Sequence, residues 1–230
     1  MESNKKGALL IYARSGSSRL PNKALKEIGG YKLIELVINR VISLQNTLPI
    51  QIYLATSNLP ENDELVSFVE ELGISVFRGD ENDLVDRTID FIKQMKYEYI
   101  ARVNGDCPFV DIELIAEGFK YINQDYDFVT NIKNRTYPYG VAVEWFKSDF
   151  YKKMANDVNE NEKEHVTKHL YRKINEINHY SIESSSNNSN TSLTIDTQQD
   201  YERLKLIFEK YSKESQLKLN YKNFKNDNTI

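Results

Sequence analysis

The chain has 230 residues, of which 40% are hydrophobic, so it is long enough for one α/β domain with a sizeable core. Its 30 Lys and Arg residues against 34 Asp and Glu residues give a formal charge of −4, which argues against nucleic acid as a partner. A single cysteine excludes an internal disulfide, and the sequence shows neither a membrane-spanning apolar run nor a signal-peptide pattern. We therefore expect a cytoplasmic protein with no membrane partner.

Strands and helices alternate in the first half of the chain. Residues 8–12 form an apolar run that is typical of a strand buried on both faces. Periodicity then predicts, in order, a helix over 31–44, a strand over 50–56, a helix over 61–72, a strand over 74–77, a helix over 83–96 and a strand over 99–103. This alternation predicts right-handed βαβ units and a parallel sheet.

The second half of the chain is less regular. We expect a helix over 111–123, a strand over 126–130, a strand over 141–146, a helix from Ser148 to about Ala155 and a charged helix over 159–173. Residues 177–183 and 193–195 are expected to pair as strands across a mobile Ser/Asn loop. Thr197 and Asp200 predict a capped last helix. The domain is then expected to span 1–212, with 213–230 as a polar tail.

A loop of small and basic residues follows the first predicted strand. It carries Arg14, Arg19 and Lys23, and the small residues between Ser15 and Ser18 allow backbone N–H groups to approach a phosphate. Open α/β sheets bind ligands at this edge, so the loop predicts an anion site. A solvated basic turn is the alternative reading. The loop has neither the Walker pattern nor G-x-G-x-x-G, which argues against a P-loop ATPase and a dinucleotide dehydrogenase.

Two aspartates follow short apolar segments later in the chain. Asp106 lies in a Gly/Pro turn after the fourth predicted strand, and Asp196 follows Leu193–Ile195. Taken alone, Asp106 is explained as a turn residue and Asp196 as a helix N-cap. Two carboxylates at one sheet edge would also suit Mg²⁺, which binds through one or two carboxylates together with phosphate oxygens.

Together these segments resemble the motifs of a known family. A-R-x-G-S-x-R-L-P-x-K at 13–23, R-V-N-G-D-C-P at 102–108 and T-I-D-T-x-x-D at 194–200 are similar to elements of the cytidylyltransferase family. This family includes the acylneuraminate and 3-deoxy-manno-octulosonate cytidylyltransferases, and the resemblance is strongest to its spore coat polysaccharide biosynthesis protein F-like branch. It implies a single Rossmann-like three-layer α/β/α domain with a mostly parallel central sheet, of the nucleotide-diphospho-sugar transferase type.

The resemblance also implies a set of site residues. Arg14 and Lys23 would be catalytic, acting on the α-phosphate of CTP, while Asp106 and Asp196 would share a Mg²⁺ cofactor. The nucleotide would contact Ala13, Arg14, Ser15, Gly16, Ser17, Ser18, Arg19, Lys23, Thr56 and Arg78, with Arg87 as a further candidate. The acceptor would contact Asn104, Tyr139, Glu144 and His165. For the arginines at 78 and 87 and for His165, a plain surface or helix contact is the alternative.

The implied function is transfer of CMP from CTP to an acidic sugar of the nonulosonic type, or to another surface-polysaccharide precursor, with release of pyrophosphate. Ala142 stands where the family often has an aspartate, which leaves the identity of the acceptor open. The alternatives are a nucleotidyltransferase using another NTP, a sugar-nucleotide-dependent glycosyltransferase, and a non-catalytic nucleotide-binding protein. No D-x-D ends the fourth predicted strand, which argues against the glycosyltransferase. Family members are commonly dimers, so a homodimer is expected.

Overall fold

The computed structural model describes residues 6–224. Its strands and helices are β1 (Gly7–Tyr12), β2 (Glu27–Ile28), β3 (Tyr31–Lys32), α1 (Leu33–Val41), α2 (Leu44–Thr47), β4 (Ile50–Ser57), α3 (Asp63–Glu71), β5 (Ser75–Gly79), α4 (Leu84–Met95), β6 (Tyr99–Asn104), α5 (Ile112–Ile122), β7 (Phe128–Thr130), β8 (Glu144–Lys147), α6 (Ser148–Met154), α7 (Lys168–Arg172), β9 (His179–Ser181), α8 (Gln198–Phe208) and α9 (Lys213–Gln216). None of the helices in this described range has the length and apolar character that crossing a membrane requires.

The central sheet of the described chain has seven strands in the order β5-β4-β1-β6-β8-β7-β9. β1 lies between β4 and β6 and runs parallel to both, and β5 continues the parallel half. β8 runs antiparallel to its neighbours β6 and β7, while β9 pairs in parallel with β7. The predicted mostly parallel sheet is therefore confirmed, with β8 as the inserted antiparallel strand.

Successive side chains of β1 enter two different hydrophobic layers, because neighbouring strand residues point to opposite faces of a sheet. Leu9 and Ile11 pack with residues of α1, α3, α5 and α8 on one face. Ala8, Leu10 and Tyr12 pack with residues of α4, α6 and α7 on the other face. The whole of β1 is buried, which accounts for its uninterrupted apolar sequence and confirms the three-layer domain.

Three segments differ from the expectations drawn from sequence. Gly29 and Gly30, with φ of 62° and 81°, close the β2–β3 hairpin, and α1 therefore begins only at Leu33. The charged stretch 159–173 is a turn at Glu160–Glu162 followed by the short α7 rather than one helix. β9 pairs with β7 and not with residues 193–195, which form no regular strand. The third difference arises because β9 pairs with β7, about 50 residues earlier, and such a distant partner leaves no sign in the local periodicity.

Two segments expected to be loose are held in place, the first by hydrogen bonds and the second by apolar packing. In the Ser/Asn loop, Thr136 accepts the Ser184 N–H through its hydroxyl and the Asn188 N–H through its carbonyl, both at 2.8 Å. At the end of the chain, the buried apolar side chains at 219, 221 and 224 join the core. The structure therefore differs from the expected polar tail over 213–224, and residues 225–230 lie outside the described range.

Candidate functional site

A cleft of about 350 Å³ opens beside the carboxyl ends of β1 and β6. The two strands run parallel, and open α/β sheets bind their ligands at this edge of the sheet. The structure brings most of the predicted site residues to its lining: Ala13, Arg14, Gly16, Ser17, Ser18, Arg19, Lys23, Asn104, Asp106, His165 and Asp196.

The loop after β1 is fixed in shape by the fully buried Asn62. Its Oδ1 accepts the backbone N–H of Ser15 at 2.8 Å and the hydroxyl of Thr56 at 3.3 Å. The carbonyl of Ser15 in turn accepts the N–H groups of Ser17 and Asn22, at 2.8 and 3.2 Å. Ser15 and Thr56 are therefore buried supports of the loop rather than part of the cleft surface.

Lys23 lies between the two aspartates. Its Nζ is 2.5 Å from Asp106 Oδ2 and 3.1 Å from Asp196 Oδ1, and it donates to the Ile195 carbonyl at 3.4 Å. Arg19 Nη2 is 3.2 Å from the same oxygen of Asp196. Burial lowers the pKa of Lys23, but the two carboxylates outweigh it, Asp106 most of all, and the pKa is raised above its usual value. The loop thus places a charged ammonium against both carboxylates.

Backbone contacts explain why two aspartates so distant in sequence meet. The N–H of Ile195 donates to the carbonyl of Asp106 at 3.0 Å. Thr197 forms a capping box with Asp200 at the start of α8, and Asp200 Oδ2 also accepts the N–H of Asp196 at 3.2 Å, which fixes Asp196. Beside Asp106, a Cβ on Gly105 would lie 2.7 Å from the Ala13 Cβ, so the turn and the loop after β1 meet only because this residue is glycine.

At one end of the cleft, Glu81 holds the guanidinium of Arg14. Its Nη1 donates to Glu81 Oε1 at 2.6 Å and to the Glu81 carbonyl at 3.0 Å. The buried Arg87 supports this turn, since its Nε donates to the Asp80 carbonyl at 2.8 Å and its Nη2 to the Glu81 carbonyl at 3.2 Å. Arg87 borders the cleft, but its donors are used to hold the turn that orients Arg14.

A charged pair lies beneath the other end of the cleft. Arg102 pairs through Nη1 with the fully buried Glu144, and its Nη2 donates to Asn104 Oδ1 at 2.8 Å. Glu144 also accepts the Tyr171 hydroxyl at 2.7 Å, and that hydroxyl lies 2.5 Å from Thr130 Oγ1. Burial lowers the pKa of Arg102, but the charge of Glu144 outweighs it and the pKa is raised. Arg102 is therefore a fixed positive charge at the cleft floor.

Three other predicted residues lie away from the cleft lining. Arg78 pairs with Asp63 at 2.7 Å. It also donates to the carbonyls of Ser57 and Leu59, at and just after the carboxyl end of β4. Tyr139 is 53% exposed, with the Arg135 guanidinium 4.0 Å from its ring centre. Glu144 has no exposed surface and acts on the cleft only through its partner Arg102. The burial of Glu144 corrects the expectation that it contacts the acceptor directly, whereas the contacts expected of Arg78 and Tyr139 stay predictions.

Asp106 and Asp196 are the residues that could hold a divalent cation. One oxygen of each reaches the same ammonium group, so the two oxygens converge on one point, as the ligands of a single cation do. Hard carboxylate oxygens suit Mg²⁺, with water and phosphate oxygens completing its shell. Across residues 6–224 no group of three or more His, Cys, Asp or Glu side chains forms a metal site, so the protein supplies only part of such a shell.

Comparison with known proteins decides the family. A family model described as cytidylyltransferase matches residues 8–227. The chain belongs to the cytidylyltransferase family. As a cytidylyltransferase it is a CTP-dependent nucleotidyltransferase, which confirms the family and the enzyme class that the three motifs indicated.

Individual relatives of this cytidylyltransferase agree with that assignment. Spore coat polysaccharide biosynthesis protein SpsF of Bacillus subtilis is 29% identical over 210 residues, which cover 87% of this chain and 85% of that protein. A cytidylyltransferase of Leptospira borgpetersenii serovar Hardjo-bovis is 28% identical with a TM-score of 0.85, covering 95% and 91% of the two chains. CMP:2-keto-3-deoxy-manno-octonic acid synthetase, solved with CTP, shares the fold at 18% identity and a TM-score of 0.68, covering 89% of this chain and 99% of that one.

Sequence reasoning missed three side chains that shape the site of this cytidylyltransferase. Asn62 ends the 3-10 helix Pro60–Asn62 before α3 and Glu81 lies in a bend before α4, and the apolar periodicity of the helices points to neither side chain. Arg102 did leave a signal, because it stands two residues before Asn104 on one strand and a period of two puts both on the same face. The strand pattern could therefore have identified Arg102, whereas Asn62 and Glu81 required the fold.

Proposed function

We propose that this cytidylyltransferase transfers CMP from CTP to an oxygen atom of an acidic sugar of the nonulosonic type, or of another surface-polysaccharide precursor. The observation that carries the proposal is the convergence of Lys23 and Arg19 on Asp106 and Asp196 in one cleft with Arg14. Three cations and two carboxylates suit a metal-bound triphosphate. The names of SpsF and of the octonic acid synthetase support the proposed class of acceptor.

In the proposed reaction, a hydroxyl oxygen of the acceptor attacks the α-phosphorus of CTP in line with the bond to pyrophosphate. The new oxygen–phosphorus bond forms as the bond to the bridging oxygen breaks. Pyrophosphate leaves with that electron pair, and the hydroxyl proton passes to solvent. No covalent bond to the protein is needed, so positioning and charge neutralisation account for the rate.

The cations of the loop divide this work in our proposal. Arg14 and Lys23 bind the α-phosphate, where negative charge develops. Arg19 binds the β- and γ-phosphates together with the N–H groups of Gly16 and Ser18, since the N–H groups of Ser15 and Ser17 already donate within the protein. Mg²⁺ held by Asp106 and Asp196 would supply further positive charge to the phosphates. Glu81 orients Arg14 by its two contacts with Nη1.

For the acceptor we propose contacts with Asn104 and His165, which both line the cleft. The Oδ1 of Asn104 accepts from Arg102, so the NH₂ group is the part of this amide that remains to donate into the cleft. An N–H donor at this point suits the hydroxyl or carboxylate oxygens of an acidic sugar. Arg102 and Glu144 would fix the orientation of the amide from below.

The decisive experiment measures pyrophosphate release with Mg²⁺ and each of the four NTPs, against sialic, legionaminic, pseudaminic and octulosonic acids. We expect release with CTP and one of the acids. An Asp106→Asn variant is the control for release by a contaminating enzyme, because it removes one proposed metal ligand. Release with a different NTP, or silence across the panel by a protein that CTP does not stabilise against heat, would contradict the proposal.

We further propose that the enzyme works in the cytoplasm, where CTP is available, as a homodimer. Cell fractionation tests the location, and light scattering coupled to size exclusion tests the assembly. Activity confined to the membrane fraction would contradict the first proposal, and a mass of one chain in solution would contradict the second.

A further inference from the structure

Lys23 makes contacts that resemble those of a bound cation. Its ammonium group lies within 3.4 Å of three oxygens, from Asp106, Asp196 and the Ile195 carbonyl. The side chain is only 18% exposed, so solvent screens these contacts weakly. Without a cation between them, the two carboxylates would repel each other. Lys23 therefore lies as a counter-charge between the two aspartates while nothing else is bound, and Arg19 adds a second positive charge at Asp196.

We propose that Lys23 is the resident counter-ion of the two-aspartate site, and that a divalent cation competes with it for the same carboxylates. This inference rests on the proposed function for the assignment of Asp106 and Asp196 as metal ligands. Lys23 then occupies two positions during the reaction cycle. It pairs with the aspartates in the free enzyme and is released towards the phosphates when a metal–nucleotide complex binds.

The charges around the loop mean that replacing Lys23 by a divalent cation affects which form of CTP binds. In the free enzyme Arg14 pairs with Glu81, Arg19 with Asp196, and Lys23 with both aspartates. A nucleotide without metal must therefore displace carboxylates from the cations that it needs. A divalent cation at the aspartates frees Lys23 and Arg19 together, so the site favours the metal complex of CTP over free CTP.

The first test measures Mn²⁺ binding to the nucleotide-free enzyme by electron paramagnetic resonance. We expect Lys23→Gln to bind Mn²⁺ about tenfold more tightly than the wild type, within the range of ordinary coupling between two ligands at one protein. The same variant should bind the Mg²⁺ complex of CTP more weakly, because it lacks a phosphate ligand. General damage to the fold would weaken both kinds of binding, so it cannot account for tighter Mn²⁺ binding together with weaker CTP binding.

Lys26→Gln is the matched control. It removes the same charge three residues away, where Lys26 faces the ring of Tyr201 at 5.4 Å. We expect its Mn²⁺ affinity to stay within twofold of the wild type. An equal gain in both variants would mean that overall charge, and not the exchange at the aspartates, controls Mn²⁺ affinity, and this would overturn the proposal.

A second measurement needs no variant, in case Lys23→Gln does not fold. Brief acetylation of the wild-type enzyme, read by mass spectrometry, reports how accessible each lysine amine is. Mg²⁺ should increase modification of Lys23 relative to Lys26. Unchanged Lys23 modification, unchanged Mn²⁺ affinity of Lys23→Gln, or no Mn²⁺ binding to the wild type would each overturn the inference. The pyrophosphate assay with CTP judges the proposed function separately.

Discussion

At the scale of single residues, Lys23 is the side chain whose loss we expect to reduce turnover most clearly. It is proposed to stabilise negative charge on the transferred phosphate, and removing one such donor typically costs about a hundredfold in rate. Lys23→Ala should therefore lower the rate of pyrophosphate release by at least about that factor. Lys26→Ala is the control and should retain activity. A Lys23→Ala enzyme within threefold of the wild type would contradict the role.

His169 is expected to make the protein sensitive to acid. It is buried, packs edge-on against the ring of Tyr151, and neither ring nitrogen has a hydrogen-bond partner within residues 6–224. Burial lowers its pKa from 6.5 to about 4. The buried site accommodates the neutral imidazole of His169 better than the charged one. Its contribution to the free energy of unfolding is therefore fully present above pH 6.5 and is lost as the pH falls towards 4.

The measurement is the free energy of unfolding by urea at pH 7 and pH 5. Through His169 the wild type should lose about 2 kcal/mol between these values, because the unfolded chain takes up the proton first. His169→Phe and His169→Gln carry no imidazole, and both should lose that much less, whatever their stability at pH 7. An unchanged difference in both variants would show that another group titrates.

Individual site residues differed in how well the sequence revealed them. The loop cations and both aspartates lie in contiguous motifs, and the structure brings them together. Arg78 also has the residue type of a phosphate ligand, yet it is tied to Asp63 and to backbone carbonyls. A guanidinium looks the same in sequence whether it binds a ligand or a neighbouring turn, so the fold alone separates these two cases.

At the scale of elements, the Arg102–Glu144 pair joins β6 to β8. The two residues are register partners in this antiparallel pair, and Tyr171 of α7 donates to the same carboxylate. Removing one member of a buried ion pair leaves the other uncompensated, at a cost of about 3–5 kcal/mol. Glu144→Ala should therefore destabilise the protein by about 3 kcal/mol in urea unfolding.

Two further variants separate charge from packing. Tyr171→Phe removes only a hydroxyl and should cost about 1 kcal/mol. The double variant Arg102→Met with Glu144→Leu removes both charges and should recover much of the stability lost in Glu144→Ala. A Glu144→Ala protein as stable as the wild type would show that solvent already compensates Arg102.

The helices that sequence predicted well are those with local start and packing signals. α4, α5 and α8 each follow an apolar stripe and begin at a capping side chain, Asp83, Asp111 and Thr197 respectively. β8 and β9 are placed by pairing with strands that lie far away in sequence. Their positions depend on tertiary contacts, and alternation within a few residues does not contain that information.

At the scale of the whole molecule, Arg40 connects the last described segment to the domain. It is buried in α1, donates to the carbonyls of Gln216 and Leu219, and lies over the ring of Phe109. Burial lowers the pKa of Arg40 to about 10. Its two hydrogen bonds to backbone carbonyls are the polar contacts by which this guanidinium holds residues 216–219.

Arg40→Ala should release this segment. We expect a loss of about 2–3 kcal/mol in unfolding free energy, from charged hydrogen bonds and buried apolar contacts together. Hydrogen exchange should show lost protection over 213–224. The exposed Lys218→Ala is the control and should keep wild-type protection. Full protection in Arg40→Ala would mean that the apolar side chains alone hold the segment.

The hydrogen bond from Ile195 to the Asp106 carbonyl also bears on how the protein is made. A growing chain that has emerged from the ribosome only as far as residue 190 contains β1, β4, β5 and β6, but it carries one of the two aspartates. The cleft is therefore completed late in synthesis, after the sheet can already form. A metal–nucleotide complex added during translation would stabilise finished molecules and leave shorter chains exposed to proteases.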